Sequence, residues 1–375
     1  MEELIENILK LVQIPSVSGR GEEIERVVAL VKNDLAPKGA IIREFRFAGA
    51  DPVLLLANCR GDDFDILTVG HLDVVPAKDE LFAPRIENGR IYARGALDMK
   101  SPVAVNLAAL AYAMNKPVRF GVLLTTDEET TSNGIKALVK NENITPRIVL
   151  DTDAGDLFTL CDKAKHPVSV RIAAAGESAH SSRPWEGVNA VRHLADCLSE
   201  LAADFGDYEK GGRQPENIWQ DTMVVTAFNS PTTYNVVPAE AEARVNFRLT
   251  EKISLPALEA KLDTACKRHG CTYEILLQSR GVYMDASMPE IAAYRKIAEE
   301  TVGRPLKISQ MCGGTDARMF ADRSVIVMHS VNGENAHGDG EYVEIESVKK
   351  LLEIEKKFID ACIEKKFIDA CIAGI

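Results

Sequence analysis

The chain has 375 residues, which is too long for one ordinary hydrophobic core at about 150 residues per domain. Hydrophobic residues make up 46% of the sequence and charged residues 27%, so the composition supports large packed cores and excludes disordered, collagen-like and membrane proteins. The formal net charge of -12 repels nucleic acid phosphates and anionic lipids, and we expect neither a nucleic acid nor a membrane partner.

The first residues and the cysteines both indicate a cytoplasmic protein. Residues 1–16 are acidic and amphipathic and lack the basic segment of a secretory signal. The eight cysteines are scattered without a CxxC pair, which argues against a zinc ribbon or a redox motif. We therefore expect free thiols in a reducing compartment.

Alternating helix and strand patterns predict the fold of most of the chain. Two amphipathic helices open it, over residues 4–12 and 24–35, and another helix is predicted over 102–114. Between and after them, short apolar runs end abruptly in polar clusters and predict buried strands, over residues 65–69, 120–125, 147–150 and 324–331. The pattern predicts an α/β fold with a mixed, mostly parallel sheet flanked by helices.

The pattern changes near residue 166. Residues 168–173, 223–228 and 242–248 alternate polar and apolar positions, as antiparallel strands with one wet face do. Helical stretches over 188–201 and 255–269 lie between them. We expect an inserted α+β, ferredoxin-like domain over residues 166–278, so that the first domain is discontinuous and consists of residues 1–165 plus 279–375.

The C-terminus contains an exact repeat. The nine residues EKKFIDACI occur at 355–363 and again at 364–372. Nine residues turn a helix by about two and a half revolutions, so the two copies would face opposite sides of one straight helix. We expect no functional role for the second copy.

Histidine and carboxylate side chains follow several of the predicted strands. They are His71 with Asp73, Glu128 with Glu129, Asp151 with Asp153, and His337. In open α/β sheets, ligands bind at the carboxyl ends of the strands. Imidazole and carboxylate ligands suit zinc, cobalt or manganese.

A site with two metal ions explains this set of residues best. Two ions about 3.5–4 Å apart can share a bridging water, lower its pKa and polarise a carbonyl group. A nearby carboxylate that is not a ligand can act as the general base. Asp73 follows His71 by two residues, where it can accept the other ring N–H of that histidine or of a neighbouring ligand.

Three segments resemble the signature blocks of the M20 metallopeptidase family. They are Gly70–Pro76 (GHLDVVP), Tyr92–Lys100 (YARGALDMK) and Thr126–Glu129 (TDEE). The similarity runs from residue 1 to about residue 354. It implies a zinc-exopeptidase-like catalytic domain with an inserted lid and dimerisation domain. The family includes acetylornithine deacetylase, succinyl-diaminopimelate desuccinylase, aminoacylases, carboxypeptidases, and di- and tripeptidases.

The resemblance also implies a ligand set for two divalent metal ions. Zinc is the expected metal, with cobalt and manganese as alternatives. Each ion would have one histidine, one terminal carboxylate and a shared aspartate that precedes a cis peptide bond. The implied ligands are His71 and Asp153 for the first ion, Glu129 and His337 for the second, and Asp98 for both, with Asp151 as the alternative to Asp153.

Catalytic and substrate-binding roles follow from the same resemblance. Glu128 would be the general base, and His180, in the segment GESAHSS, would reach the partner subunit's active site and stabilise the oxyanion. The residues that would hold the substrate's carboxylate and acyl oxygens are Asn235, Arg248, Gly313, Gly314 and Thr315.

The expected activity is hydrolysis of the amide bond of a small N-acyl amino acid, as in a deacetylase or desuccinylase. A di- or tripeptidase or a carboxypeptidase of the same family is the alternative, and a non-catalytic metal-binding relative is a further one. A dinucleotide-dependent enzyme is excluded, since no G-x-G-x-x-G run follows the first strand. We expect a homodimer formed through residues 166–278.

Overall fold

The computed structural model describes residues 2–205, 219–231 and 234–364. The helices are α1 Glu2–Val12, α2 Gly21–Leu30, α3 Ser101–Ala113, α4 Asn133–Asn141, α5 Ala190–Ala202, α6 Leu255–His269, α7 Pro289–Val302 and α8 Ile345–Ile363. The strands are β1 Ile41–Phe45, β2 Val53–Ala57, β3 Asp63–His71, β4 Arg85–Glu87, β5 Arg90–Tyr92, β6 Phe120–Thr125, β7 Thr145–Asp151, β8 Thr159–Ala164, β9 His166–Ala175, β10 Thr222–Asn229, β11 Glu240–Leu249, β12 Cys271–Gln278, β13 Val282–Tyr283, β14 Lys307–Met311, β15 Val325–Met328, β16 Gly333–Glu334 and β17 Tyr342–Glu344.

Contacts among the described residues divide the chain into two compact units. The first consists of Met1–Lys163, Met284–Met311 and Thr315–Ile375. The second consists of Ala164–Tyr283 and Cys312–Gly314. The first unit is therefore discontinuous in sequence.

The main sheet of the first unit confirms the predicted α/β class. Its strand order is β1-β2-β6-β3-β7-β15-β8, with β14 beside β8. The inner strands β6, β3, β7 and β15 are parallel, whereas β1, β2 and β8 pair antiparallel at the two sides. Every residue of β2 and β6 is buried, as expected for strands that are covered on both faces.

A close approach places the start of α3 against the end of β3. A Cβ atom at Gly70 would lie 2.8 Å from Cε of Met99 and 3.2 Å from Cγ2 of Val103, so a larger residue here would displace these side chains. Pro102 occupies the first turn of α3, where the missing N–H costs no hydrogen bond. The segment Ala96–Lys100, directly before α3, is irregular and contains a cis peptide bond between Asp98 and Met99. The family resemblance implies this cis bond.

A small antiparallel sheet in the first unit joins two distant parts of the chain. Its order is β16-β17-β5-β4. Tyr342 of β17 pairs with Tyr92 of β5, and their rings lie 5.3 Å apart. The loop that carries His337 is therefore anchored beside the segment that leads to Asp98.

The second unit has the predicted β-α-β-β-α-β order. Its antiparallel sheet has the order β10-β11-β9-β12, and α5 and α6 pack on one face, around a core that includes Val170, Leu194 and Leu262. The Ser254 side chain caps α6 by accepting a hydrogen bond from the main chain of Ala257. The ferredoxin-like topology is thus confirmed.

Helix α8 contains the first copy of the C-terminal repeat. Phe358 and Ile359 in that copy are fully buried, and the helix ends at Ile363. Residues 365–372 of the second copy lie outside the described residues. Among the helices described, none has the length and apolar character needed to cross a membrane.

Candidate metal centre

Two groups of candidate ligands share one carboxylate in the first unit. The first group is His71, Asp98 and Asp153, and the second is Asp98, Glu129 and His337. Within each group, the ligand atoms lie within 4.8 Å of one another. The structure thus brings together the five residues that the resemblance implies as ligands.

Each oxygen of Asp98 faces a different histidine. Oδ1 lies 3.1 Å from Nε2 of His71, and Oδ2 lies 3.0 Å from Nε2 of His337. One more carboxylate lies near the same nitrogen of each histidine: Asp153 Oδ1 is 3.8 Å from His71 Nε2, and Glu129 Oε1 is 3.1 Å from His337 Nε2. This arrangement suits one bridging and two terminal carboxylates.

The parallel strands explain why these side chains meet. His71 is the last residue of β3, Glu129 follows β6, and Asp153 follows β7. Because β3 pairs parallel with both β6 and β7, their carboxyl ends lie at one edge of the sheet. His337 comes from the loop after β16 and has a left-handed backbone, with φ of 64°.

Asp73 contacts the ring of His71 and the main chain of Glu128 and Glu129. Nδ1 of His71 donates to the main-chain oxygen of Asp73 at 3.0 Å, with the Asp73 carboxylate 3.5 Å away. A carbonyl oxygen can only accept, so the proton of neutral His71 sits on Nδ1 and the lone pair on Nε2 points to the shared site. The Asp73 carboxylate instead accepts the main-chain N–H groups of Glu128 and Glu129, at 3.2 and 3.1 Å.

Asp151 and Asp153 occupy different environments. Asp153 belongs to the ligand group of His71. Asp151 is buried, and its Oδ1 accepts the main-chain N–H of Asp153 at 3.0 Å. Burial raises the pKa of Asp151 to about 6. In this arrangement Asp151 supports the turn that presents Asp153.

Several carboxyl and imidazole groups of the site have raised pKa values. Burial, together with the neighbouring Asp98 carboxylate, raises the pKa of Glu129 and raises that of Asp153 well above its ordinary value. Burial and the nearby carboxylate of Asp316 raise the pKa of Glu128 to about 8. A hydrogen bond to Asp98 raises the pKa of His337 to about 9. Crowded carboxylates beside two imidazoles form a donor set that fits divalent metal ions.

His180 lies in the second unit, on the loop that follows β9. Its ring is exposed, and its main chain forms a bridge with Val236. The main-chain N–H of Ser182 donates to Nδ1 of His180 at 3.2 Å. Nδ1 is therefore an acceptor, so the proton of the neutral ring is on Nε2, which faces away from this bond.

Asn235 and Arg248 lie near opposite ends of the second unit's sheet. The main-chain oxygen of Asn235 accepts the N–H of Ser181 at 2.9 Å, which places Asn235 beside His180. Arg248 lies near the far end of β11, where it pairs with Pro167. At about 3.3 Å per residue, the eight steps along β11 from Glu240 to Arg248 span roughly 26 Å.

The glycine-rich segment is divided between the units. Gly313 and Gly314 group with the second unit, and Thr315 belongs to the first. The Thr315 side chain is buried and accepts the main-chain N–H of Ala317 at 3.3 Å. Its hydroxyl caps the short helix Asp316–Phe320 and also hydrogen-bonds to Asp151.

Three residues that sequence reasoning missed also contact this site. Ser18 donates its hydroxyl to Asp73 at 2.6 Å. Arg94 and Glu341 form a buried ion pair beside Asp98. Strand-end spacing could not reveal them, because each partner lies between 55 and 247 residues away in the chain.

Comparisons with known proteins agree with this geometry. Residues 67–361 match peptidase family M20/M25/M40. A succinyl-diaminopimelate desuccinylase from Xanthobacter autotrophicus is 27% identical over 93% of this chain and 96% of its own length. An M20 family metallo-carboxypeptidase from Sulfolobus solfataricus has a similar fold, with a TM-score of 0.77, 21% identity and coverage of 96% and 99% of the two chains. Aminopeptidase PepT from Bacillus cereus has a TM-score of 0.74 and 22% identity, covering 96% and 97%.

Proposed function

Since the chain belongs to peptidase family M20/M25/M40, we propose that this hydrolase cleaves the amide bond of a small N-acyl amino acid with a free carboxylate. An N-succinyl group is the first candidate, because the desuccinylase relative matches nearly the whole chain. The observation that carries the proposal is the shared carboxylate of Asp98, with one histidine at each oxygen.

Two divalent metal ions, zinc in this proposal, would be held by the two ligand groups that meet at Asp98. When bound, such ions lower the pKa of water and polarise a substrate carbonyl. The Nδ1 bond of His71 to the main chain of Asp73 holds its Nε2 towards one of them.

Glu128 is the general base in this proposal. Its main chain is held by Asp73 at 3.2 Å, and its carboxyl group has a pKa raised to about 8, mainly by burial. A carboxylate of raised pKa is a better proton acceptor. Glu128 takes a proton from the attacking water and gives it to the leaving amine.

His180 stabilises the oxyanion that forms during attack. Because Nδ1 accepts from Ser182, Nε2 carries a proton that it can donate to the developing negative charge. Arg248 binds a carboxylate or acyl oxygen of the substrate. Within one chain, His180 lies beside Asn235 and Arg248 lies near the far end of β11, so in this proposal a single small substrate draws the two residues from two copies.

A homodimer formed through residues 166–278 completes this proposal. Strand β10 is at the edge of the second unit's sheet, and Val224, Val225 and Phe228 on it are exposed. An exposed apolar edge strand is a template for pairing with another chain. We place the enzyme in the cytoplasm, which the free thiols of the seven cysteines in the described ranges support.

The test is a substrate panel with the purified, zinc-supplemented enzyme. N-succinyl and N-acetyl amino acids would be compared by kcat/KM with di- and tripeptides, using Glu128→Gln as the control. We expect N-succinyl substrates to be turned over fastest, and E128Q to lose at least about a hundredfold in kcat, the typical contribution of general base catalysis. Equal inertness of the wild-type enzyme towards the whole panel would overturn the proposal.

A di- or tripeptidase or a carboxypeptidase is the second candidate. The family includes peptidases by name, and the site needs no change to hydrolyse a peptide bond. Faster turnover of peptides than of any N-acyl amino acid would favour this candidate.

A further inference from the structure

Glu341 binds the main chain of the segment that leads to the cis peptide bond between Asp98 and Met99. Its Oε1 accepts the N–H groups of Leu97 and Asp98, at 2.9 and 3.1 Å. Its Oε2 accepts the N–H of Gly95 at 3.1 Å and an N–H of the Arg94 guanidinium. One carboxylate therefore satisfies three main-chain donors in the four residues that end at Asp98.

Arg94 extends the same contacts to the loop of His337. Its Nη1 donates to Glu341, and its Nη2 donates to the main-chain oxygen of Gly338 at 3.3 Å. Gly338 directly follows His337 in the chain. The Arg94 and Glu341 pair thus touches the main chain at Asp98 on one side and beside His337 on the other.

Burial makes this pair sensitive to substitution. Arg94 is 2% exposed and Glu341 is 3% exposed. Removing one partner of a buried pair leaves an uncompensated charge, which costs more than the pair contributes. Gly95 is also constrained, because its φ is 80° and a Cβ there would lie 2.8 Å from Val74 and 3.1 Å from Lys100.

The loop of His337 needs such an anchor. Asn335 and His337 both have left-handed backbones, with φ of 62° and 64°. Such conformations are unfavourable for residues with a side chain and persist only where surrounding contacts hold them. The side chain of His337 is half exposed, so packing around the ring contributes little to its position.

We infer that Glu341 and Arg94 form a positioning pair that holds Asp98 and His337 in place for the second metal ion, the one that Glu129 also binds. Neither Arg94 nor Glu341 belongs to the two ligand groups. The inference rests on the proposed metal-dependent hydrolysis, and it assigns to Glu341 a role in metal affinity rather than in the chemical step.

Calorimetric titration of the chelator-treated, full-length protein with Zn²⁺, and separately with Co²⁺, tests this inference. Glu341→Gln should weaken the second binding event by at least about tenfold, the usual loss for a group that orients a metal ligand. The first event, at His71, Asp98 and Asp153, should change less, because His337 is not among its ligands. Raising the metal concentration should restore much of the kcat of E341Q, which a loss of general stability would not allow.

Glu290→Gln is the matched control. Glu290 is 6% exposed and lies 3.6 Å from Arg147, so it is also a buried carboxylate beside an arginine. E290Q should lower the melting temperature but leave both metal affinities at their wild-type values. If E341Q does not fold, Arg94→Lys gives a second test, since lysine keeps the charge but cannot reach both Glu341 and Gly338 with a planar fork.

The outcomes separate this inference from the proposed function. E341Q or R94K protein that is destabilised but binds both ions with wild-type affinity overturns the inference. A wild-type chain that binds two ions but hydrolyses nothing on the substrate panel overturns the proposed function alone, if E341Q still loses the second ion. A wild-type chain that binds no ion overturns both.

Discussion

The hydroxyl of Ser18 donates a hydrogen bond to Oδ2 of Asp73 at 2.6 Å. The same carboxylate accepts the main-chain N–H groups of Glu128 and Glu129. Main-chain bonds between Ser16 and Val74 and between Ser18 and Val74, at 3.0 and 3.2 Å, hold the two segments side by side. The segment after α1 therefore helps to fix the position of the proposed base.

Replacing Ser18 with alanine should lower kcat by roughly tenfold, because a hydrogen bond to a charged group contributes about 1.5 kcal/mol or more. KM should change little, since Ser18 acts on the proposed base through Asp73. Steady-state kinetics on the best panel substrate measures both. Ser287→Ala removes a similar hydroxyl bond to Asp285, of 2.7 Å, from the surface and should leave kcat unchanged. Wild-type kcat in S18A would show that Asp73 keeps its place without this bond.

Mixing two inactive variants should restore activity if His180 works in the partner subunit. In a dimer of His180→Ala with Glu128→Gln, one site has both residues intact and the other has neither. Random exchange of subunits gives half mixed dimers, so we expect about a quarter of wild-type activity per chain. The mixture would be assayed after exchange at high protein concentration, beside each variant alone. Activity that stays at the level of the single variants would place His180 in its own chain's site.

Zinc should stabilise the wild-type protein against heat. A ligand at a hundred times its Kd stabilises the native state by about 2.7 kcal/mol, and here it would also offset the repulsion among the buried carboxylates. Melting curves with chelator and with zinc measure the shift. Asp98→Ala should lose the shift almost completely, because Asp98 belongs to both ligand groups. A shift in D98A as large as in the wild type would contradict the shared site.

Glu355 should make the stability of the first unit depend on pH. Its carboxyl group is fully buried, with no hydrogen-bond partner among the described residues, and burial raises its pKa to about 8. In the unfolded chain, Glu titrates near about 4.3. Folding thus favours the protonated form, and the associated stability is complete below the unfolded pKa and lost as the pH rises through about 8.

The variant Glu355→Gln cannot ionise. Its urea midpoint should be close to that of the wild type at pH 5 and clearly higher at pH 9. Glu353→Gln is the control, because Glu353 is partly exposed and pairs with Lys357 at 2.8 Å. A constant difference between E355Q and the wild type across this pH range would show that the buried group does not titrate.

The fold class and the second unit's topology could be predicted because they depend on local periodicity. The continuous apolar run of β6 differs from the alternating pattern of β11, and this difference separates a parallel, covered sheet from an antiparallel sheet with one wet face. Strand ends could likewise be located, which is why His71 and Glu129 were identified from the residues alone.

The remaining contacts could not be derived from spacing. Asp98 lies in an irregular segment before α3, and only the family resemblance pointed to it. Arg94 and Glu341 are charged residues that a sequence pattern assigns to the solvent, yet both are buried. Their pairing depends on the small sheet that joins β5 to β17, and no local signal in the sequence predicts that two strands so far apart will meet.

The small sheet also determines when the site can form during synthesis. The carboxylate that accepts the main-chain N–H of Asp98 belongs to Glu341, which is synthesised 243 residues later. His337 is synthesised just before Glu341. A ribosome-bound chain therefore has the first ligand group long before the second. Until Glu341 has been synthesised, Arg94 and the main chain of Asp98 lack this carboxylate, so the second ligand group can be completed only near the end of synthesis.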